Sequence, residues 1–358
     1  MINRRRDFKK LRPTLSITFI MAVVVFIFLS CSHFQSVQLE SQKKNWPKEA
    51  LRGANVSTSA SVEDLHHFAK NWGGKVVRVL HLSPLSNEPP YLINEKVLAD
   101  MYRTSSRALD EGLAVVFAPG VAMEDNDLFF SKKEYQAAFV EFWKEVALHF
   151  KNEKRIIAYD LMNEPHDKLA REQWSDYARE LTKAIRSIDD RHSIIVEAPE
   201  WSWPSGFAFL KPTGDSNTIY SFHTYAPNEF TVQKSDKGFL TATEEEWKKR
   251  IYPGSVLEGE LWNKATMEKK LAPVFEFANK NNVTIWCGEF GTTRWSKGAA
   301  TWLQDMIDIF EAHKIGWAYY SYREWHAMDL EMRPDAKNIK TERKDNEFVQ
   351  LLKKSYAK

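Results

Sequence analysis

Two glutamates lie near the ends of apolar runs, where a charged side chain is unexpected. Glu164 closes the run IIAYDLMNE (156–164), and Glu289 lies in TIWCGEFG (284–291). Holding a carboxylate at the end of a buried strand costs free energy. Two carboxylates that face each other across a cleft suit the cleavage of a glycosidic bond, because one protonates the leaving oxygen while the other attacks the sugar carbon. That chemistry requires environments that keep their pKa values apart.

Other polar residues accompany the two acids on separate runs. Arg78 lies in KVVRVLHL, and its charge would keep one acid ionised, while neighbouring negative charge and desolvation would keep the other protonated. His223 and Tyr225 are two positions apart, so they share one face of a strand. The last run carries Tyr320, Tyr322 and Trp325. Each residue alone has an ordinary structural explanation, but their joint arrangement indicates one site.

Eight apolar runs alternate with amphipathic stretches, which indicates strands followed by helices. The runs span 51–57, 75–82, 113–120, 156–164, 193–201, 218–226, 284–291 and 316–325. Strands that read as near-continuous apolar runs are typical of a parallel sheet covered on both faces. The pattern predicts a (β/α)8 TIM barrel in the α/β class, with its site at the carboxyl ends of the strands. The alternative fold is an open doubly wound sheet, for which a glycine-rich turn after an early strand is expected. The sequence has no such turn.

The positive charge is concentrated at the front of the chain. Residues 1–30 carry six cations against one acid, a net of +5, which leaves −3 of the total of +2 for residues 31–358. The remainder is mildly acidic, so no basic face for nucleic acid is expected. The basic start, the uncharged run LSITFIMAVVVFIFLS (15–30) and the small residue before Cys31 predict an export signal with lipid attached to Cys31.

We therefore expect a signal peptide over 1–30, a tether over 31–48 and a single catalytic barrel domain over 49–358. The protein would be an exported lipoprotein of the cell envelope. The alternatives are an uncleaved membrane anchor, for which the apolar run is slightly short, and ordinary secretion. Twin-arginine export fits less well, because the run after the arginines is very apolar. Cys287 has no partner if Cys31 carries lipid, so we expect it to be a buried small residue.

The segments NEP (163–165), HTY (223–225) and GEFG (288–291) resemble the signature segments of glycoside hydrolase family 5, the cellulase-like barrels. The early RGANVS and the VVRV around Arg78 match as well, and the resemblance runs from about residue 50 to 345. It implies that Glu164 is the general acid/base and Glu289 the nucleophile of a retaining double displacement.

The same resemblance implies roles for the neighbouring residues. Asn163 would bind the 2-hydroxyl of the sugar at the cleavage point. His223 would lie near the acid/base and Tyr225 near the nucleophile, while Arg78 would keep the nucleophile charged. Trp201 and Trp203, which follow the fifth run, are candidate platforms for sugar stacking, with packing of the loop as the alternative explanation.

Two departures from the family pattern concern the substrate. Family members often end strand three in Asp-x-His-Gly, but here Phe117 and Pro119 occupy those positions, so the histidine is missing. A tryptophan under the sugar is common on strand eight, where Tyr320 takes its place and Trp325 is a less suitable substitute. We expect altered substrate contacts and an intact pair of acids.

The leading functional prediction is a retaining glycosidase that acts on a β-linked glucan, mannan or similar polymer. The alternatives are a sugar-binding lipoprotein without activity and a transglycosylase that remodels envelope glycans. The expected partners are a carbohydrate substrate and a membrane, the latter through the N-terminal lipid or anchor. We expect a monomer that requires no cofactor and no metal.

Overall fold

Eight parallel strands close into a barrel in this computed structural model, which describes residues 46–47, 49–121, 126–232, 243–336 and 339–358. In chain order the barrel strands are β1 Arg52–Ser57, β2 Val76–Leu82, β3 Ala114–Gly120, β4 Ile156–Asp160, β5 Ser193–Glu197, β6 Thr218–Thr224, β7 Thr284–Phe290 and β8 Gly316–Tyr319. Each strand pairs with the next along the chain, and β8 closes the ring on β1. The predicted TIM barrel is confirmed.

Helices pack around the outside of the barrel. They are α1 Val62–His67, α2 Glu95–Asp110, α3 Asn126–Ser131, α4 Lys133–Phe150, α5 Asp167–Arg186, α6 Asn228–Thr231, α7 Glu244–Lys249, α8 Lys264–Lys270, α9 Ala272–Asn281, α10 Ala299–Ala312 and α11 Glu347–Tyr356. A π-helical segment, Phe68–Trp72, follows α1, and a 3₁₀ helix, Pro204–Ala208, follows β5. In α5, Trp174, Ala178, Leu181 and Ile185 recur at helical spacing and are fully buried against the barrel.

The interior of the barrel has two chemically different layers. An apolar cluster near the amino ends of the strands includes Val76, Val116, Ile195, Ile219 and Trp286. Polar side chains such as Arg78, Glu197, His223 and Glu289 lie nearer the carboxyl ends, two to four positions further along the same strands. The apolar layer closes one end of the barrel, and the polar layer is therefore left facing the other end.

Trp46 contacts the closed end, although the sequence places it in the tether. Its ring lies 5.7 Å from that of Trp286 in an edge-on arrangement. A large aromatic side chain can cover apolar surface at the base of a barrel, so packing against the barrel includes this part of the predicted tether. The export segment 1–30 and Cys31 lie outside the described residues. In the described ranges, no helix is both long and apolar enough to span a bilayer.

Several predicted strands extend too far, among them the run over 193–201, whose strand ends at Glu197. The strand predicted over 156–164 ends at Asp160, and Asn163 makes only an isolated bridge to Gly120. The strand predicted over 316–325 ends at Tyr319, and the chain then turns, with Arg323 in the left-handed region at φ 56°. As a result Tyr322 does not point to the polar layer: its hydroxyl lies 2.8 Å from His67 Nδ1, next to α1. Alternation cannot be extrapolated past the end of a strand.

Candidate active site

A turn after β4 carries Glu164 into the mouth of the barrel. Asn163 N–H donates to Pro119 O at 3.1 Å, which keeps the chain next to β3. Glu164 then adopts φ 48°, a left-handed conformation that is uncommon for a residue with a side chain. Its own N–H donates to Glu197 Oε2 at 2.7 Å. The run ends on a glutamate because this turn projects its carboxylate inward, and its side chain remains 24% exposed.

Glu289 lies near the end of β7 and is held by two donors. Arg78 Nη1 donates to Oε1 at 2.8 Å, and the Tyr225 hydroxyl donates to Oε2 at 2.7 Å. A register irregularity between β6 and β7 occurs at Gly288. A Cβ at Gly288 would lie 2.8 Å from His223 Nε2 and from Ser221 Oγ, so a larger residue would displace both side chains. Glycine here allows β6 and β7 to bring their polar groups close together.

His223 connects the two acids. Its Nδ1 lies 2.8 Å from Glu164 Oε1 and 3.8 Å from Glu289 Oε2. One oxygen of each glutamate and a ring nitrogen of His223 all lie within 4.8 Å of one another. The two predicted acids therefore face each other across a short gap, with a fully buried histidine between them.

Arg78 is the centre of the polar layer. Its guanidinium donates to the carboxylates of Asp160 at 2.9 Å and Glu197 at 2.7 Å, in addition to Glu289. It also donates to the side-chain oxygens of Asn55 at 2.9 Å and Asn163 at 2.8 Å. One buried cation thus fixes side chains from five different strand ends or turns, which suits the planar, many-donor geometry of arginine.

Sequence reasoning missed Glu197, Asp160 and Asn55. Glu197 ends the run SIIVE in the same way that Glu164 ends its run, so the signal was present and unused. Asp160 and Asn55 lie inside runs, where a single polar residue gives no warning that it points into the barrel. All three side chains are fully buried.

The surroundings of Glu164 and of Tyr225 shift the pKa values of both groups upward. Burial raises the pKa of Glu164, and the negative charges of Glu289 and Glu197 add to that, against a hydrogen bond and positive charge from His223. Burial also raises the pKa of Tyr225 far above its usual range, reinforced by the charge of Glu289, so the phenol stays a donor. These environments favour a protonated Glu164 and a hydroxyl donor on Glu289.

The pKa values of the buried residues around the two acids shift in different directions. Burial disfavours ionisation of Glu197, but the nearby positive charges of His223 and Arg78, together with the hydrogen bond from Ser202, lower its pKa to about 2. Burial and the charge of Glu197 raise the pKa of Asp160 well above its ordinary value. Burial lowers the pKa of His223, yet the carboxylates of Glu197 and Glu289 outweigh it and raise that pKa well above 6.5.

The aromatic candidates have different positions. Tyr320 is 8% exposed, and its ring stands edge-on to Tyr225 with centroids 6.4 Å apart, so it borders the acids. Trp201 stacks on His166 at 3.6 Å between centroids, which uses one of its faces for packing the loop. Trp325 lies in the turn after β8, where its main-chain N–H donates to Ser321 Oγ at 3.3 Å.

The strand-three departure is visible in the structure. Phe117 is fully buried on the outer face of β3, where its ring packs on Phe150 at 5.5 Å. Pro119 contributes its carbonyl to the Glu164 turn through Asn163. Neither residue supplies a side-chain donor to the mouth.

The donors Glu164, His223 and Glu289 are also of types that hold metal ions. Here both Glu289 oxygens already accept from Arg78 and Tyr225. A guanidinium at 2.8 Å from one of those oxygens is electrostatically unfavourable to a second cation at the same place. The charge arrangement therefore fits acid–base chemistry better than metal binding.

Comparison with known proteins supports the same chemistry. The sequence matches the Cellulase family (glycosyl hydrolase family 5) over residues 38–325. It is 28% identical to Endoglucanase C of Acetivibrio thermocellus over 237 residues, which cover 60% of this chain and 67% of that protein. It is 24% identical to Cellodextrinase A of Ruminococcus flavefaciens, with 64% of this chain and 63% of that protein covered.

A solved structure shares the fold. The endoglucanase Cel5A from Thermotoga maritima superposes with a TM-score of 0.70 at 24% identity, covering 88% of this chain and 99% of that one. A family match over most of the sequence, the closed barrel and the endoglucanase relatives lead to one conclusion. This chain belongs to glycosyl hydrolase family 5 and is an O-glycosyl hydrolase.

Proposed function

We propose that this protein hydrolyses a β-linked glycan with retention of anomeric configuration, with Glu164 as general acid/base and Glu289 as nucleophile. The observation that carries the proposal is the short gap between the two acids, whose nearest described oxygens lie within 4.8 Å. Retaining enzymes keep their carboxyl groups about 5–5.5 Å apart, whereas inverting enzymes need about 6.5–9.5 Å to admit a water.

The two acids have the unequal surroundings that this mechanism needs. Glu289 accepts from Arg78 and Tyr225, which stabilise its anion and aim it toward the sugar carbon. Glu164 has a raised pKa, and among the described residues its carboxylate contacts one cationic group, His223, so it can hold a proton for the leaving oxygen. After the covalent glycosyl-enzyme forms, Glu164 accepts a proton from the incoming water, and the bond to Glu289 breaks.

Two observations support a proposal for the substrate class. The relatives named above are an endoglucanase and a cellodextrinase, and Cel5A, 25% identical with a TM-score of 0.66, has been solved in complex with a mannotriose substrate. We propose a β-glucan or β-mannan. Because Pro119 supplies no donor and Tyr320 has a smaller ring than tryptophan, plain cellulose should be a poor substrate compared with a substituted or differently configured glycan.

The test uses aryl glycosides whose leaving groups differ in acidity. Glu164→Ala should lose roughly 10²–10⁴-fold in kcat/KM on a poor leaving group but much less on dinitrophenol, which needs little acid help. Azide should restore turnover and yield the β-glycosyl azide. Glu289→Ala should be inactive on both substrates, and azide should give the α-azide at best. Near wild-type rates in both variants would refute the assignment, and an inverted product would refute retention.

The site of action is proposed from the front of the sequence. An uncharged run before Cys31 supports export and lipid attachment at that cysteine. Cys31→Ala should release the protein from the membrane fraction. An unlipidated wild-type protein would count against this part of the proposal without affecting the chemistry.

A further inference from the structure

Glu197 is a third carboxylate at the mouth, and no part of the double displacement uses it. Its side chain is fully buried at the end of β5, so it does not face a bound sugar. It accepts from Glu164 N–H at 2.7 Å, from Arg78 Nη2 at 2.7 Å and from the Ser202 hydroxyl. Its Oε1 lies 3.2 Å from His223 Nε2. Every one of these partners touches the catalytic pair or holds a residue that does.

The loop after β5 is shaped to complete this arrangement. Glu200, Trp201 and Ser202 all lie in the left-handed region, at φ 69°, 59° and 57°. Three consecutive non-glycine residues in that region are unusual, because each has a steric cost. The turn delivers the Ser202 hydroxyl to Glu197, and Ser202 O accepts from His223 N–H at 2.7 Å. Ser202, the last residue of this strained segment, thus contacts both Glu197 and His223. Strain at such a place indicates that the positions of these two side chains are important for function.

We propose that Glu197 is a positioning residue: it fixes the backbone turn that carries Glu164 and, through His223, keeps the donated proton on the Glu164–His223 pair. This inference rests on the proposed role of Glu164. His223 is placed between two carboxylates, Glu164 on Nδ1 and Glu197 on Nε2. A negative charge at Nε2 favours the form of the ring that carries a proton there, so the remaining proton is shared between Nδ1 and Glu164 Oε1.

Both electrostatic effects of Glu197 act in the same direction. Its charge raises the pKa of Glu164 and also that of His223. Removing the charge should therefore make the pair lose its shared proton at lower pH. Other titratable groups also face this cluster, and they come from five strands or the turns that follow them. They are Arg78 on β2, Asp160 on β4 and Glu164 after it, His223 on β6 and Tyr225 after it, Cys287 and Glu289 on β7, and Tyr320 after β8.

Asp160 supplies a matched control. It is as deeply buried as Glu197 and also binds Arg78, at 2.9 Å to Nε. It differs in its contacts: it accepts from Arg78, its Oδ1 has no hydrogen-bond partner among the described residues, and the described ion pairs of His223 are with Glu164, Glu197 and Glu289 instead. Asp160→Asn therefore removes a buried acid that binds Arg78 but does not contact His223, whereas Glu197→Gln removes the acid that contacts both His223 and the Glu164 backbone and keeps its shape.

The experiment compares the pH dependence of kcat/KM for wild type, Glu197→Gln and Asp160→Asn on aryl glycosides with poor and good leaving groups. In Glu197→Gln the alkaline limb should move to lower pH by about one pH unit, since a charge 3.2 Å from the ring is removed. Its loss of rate should be roughly tenfold or more on the poor leaving group and smaller on the good one. In Asp160→Asn the alkaline limb should stay in place, whatever its rate at the optimum.

An unmoved alkaline limb in folded Glu197→Gln, or an equal shift in both variants, would overturn the proposal. If Glu197→Gln does not fold, Ser202→Ala tests the same idea, because it removes one donor from Glu197. It should shift the alkaline limb in the same direction by a smaller amount. An unmoved alkaline limb in folded Ser202→Ala would then contradict the proposal. Failure of azide rescue in Glu164→Ala would instead refute the role of Glu164, so the two outcomes are distinguishable.

Discussion

Strand β5 has a buried acid and a buried histidine at each of its ends, and the two pairs are built differently. Before the strand, Asp189 contacts His192 Nδ1 and accepts from the Tyr159 hydroxyl at 2.8 Å and from Arg191 N–H at 2.9 Å. The other ring nitrogen, His192 Nε2, lies 2.9 Å from Glu153 O. Every polar atom of this pair has a partner.

The pair at the carboxyl end is less complete. Glu197 and His223 meet at 3.2 Å, but His223 Nε2 is outside good hydrogen-bond geometry, and Ser221 Oγ nearby has no partner among the described residues. Asp189 and His192 are three positions apart, whereas Glu197 and His223 come from different strands. A pair that is close in sequence and has all its hydrogen bonds stabilises the fold. A charged cluster that joins different strands and lacks some hydrogen bonds is typical of a functional site.

Replacing each histidine by alanine should separate these two functions. His223→Ala should lower kcat/KM by roughly 10²–10⁴-fold, because Glu164 loses its proton-sharing partner. His192→Ala should leave kcat/KM nearly unchanged below its melting temperature and destabilise the fold. The measurement is activity beside urea unfolding for both variants. If His192→Ala loses activity to the same extent while folded, the distinction between the two ends is wrong.

Much of this architecture could be predicted from sequence. All eight runs contain the observed strands, because continuous apolar stretches dominate buried parallel strands. Arg78, Asn163, His223 and Tyr225 are gathered around the two glutamates, as the position of active sites in such barrels led us to expect. The roles assigned to them remain predictions.

What could not be predicted depends on geometry at strand ends. The inward direction of Glu164 comes from its left-handed backbone, and that of Glu289 from the irregularity at Gly288. Tyr322 was expected at the mouth, but the chain turns after Tyr319 and carries its side chain to α1. The contact of Trp201 with His166 likewise depends on the turn after β5, which no residue pattern announces.

The pair formed by Asp189 and His192, before the amino end of β5, should contribute measurably to the free energy of unfolding. Asp189→Asn keeps the size of the side chain but removes a buried charge with several donors, so we expect the free energy of unfolding to fall by about 2–3 kcal/mol. Activity per folded molecule should be unchanged. Urea unfolding at pH 6 is the measurement, and exposed Asp176→Asn, on α5, is the control. A loss below about 0.5 kcal/mol would show that this pair does not hold the strand.

The same aspartate predicts how stability depends on pH. Burial opposes ionisation of Asp189, but its hydrogen bond from His192 and those from Arg191 and Tyr159 lower its folded pKa to about 2, below the ordinary 3.8. Its contribution is therefore complete above about pH 5 and is lost as the pH falls through the folded value, a change of about 2 kcal/mol. The stability difference between wild type and Asp189→Asn should be widest at pH 6 and shrink toward pH 2.5. A constant difference would contradict this sign.

The smallest expected effect tests how far the functional region extends beyond the carboxyl end of β5. Trp203 lies just after the strained turn and lines a cavity of about 380 Å³ together with Tyr225, Trp262 and Lys270. Phe209, at the other end of the same 3₁₀ segment, is equally exposed at 43% but does not line that cavity, and it packs under Arg171.

If the cavity binds a sugar unit of a longer substrate, Trp203→Ala should remove one stacking surface, worth about 1 kcal/mol. That corresponds to roughly a fivefold loss in kcat/KM on oligosaccharides and to a smaller loss on a short aryl glycoside, which has no further sugar units to stack on Trp203. Phe209→Ala should change neither rate. Equal effects of the two substitutions on the long substrate would limit the functional region to the polar layer, because an aromatic side chain that lines the cavity would then contribute no more than one that only packs on the surface.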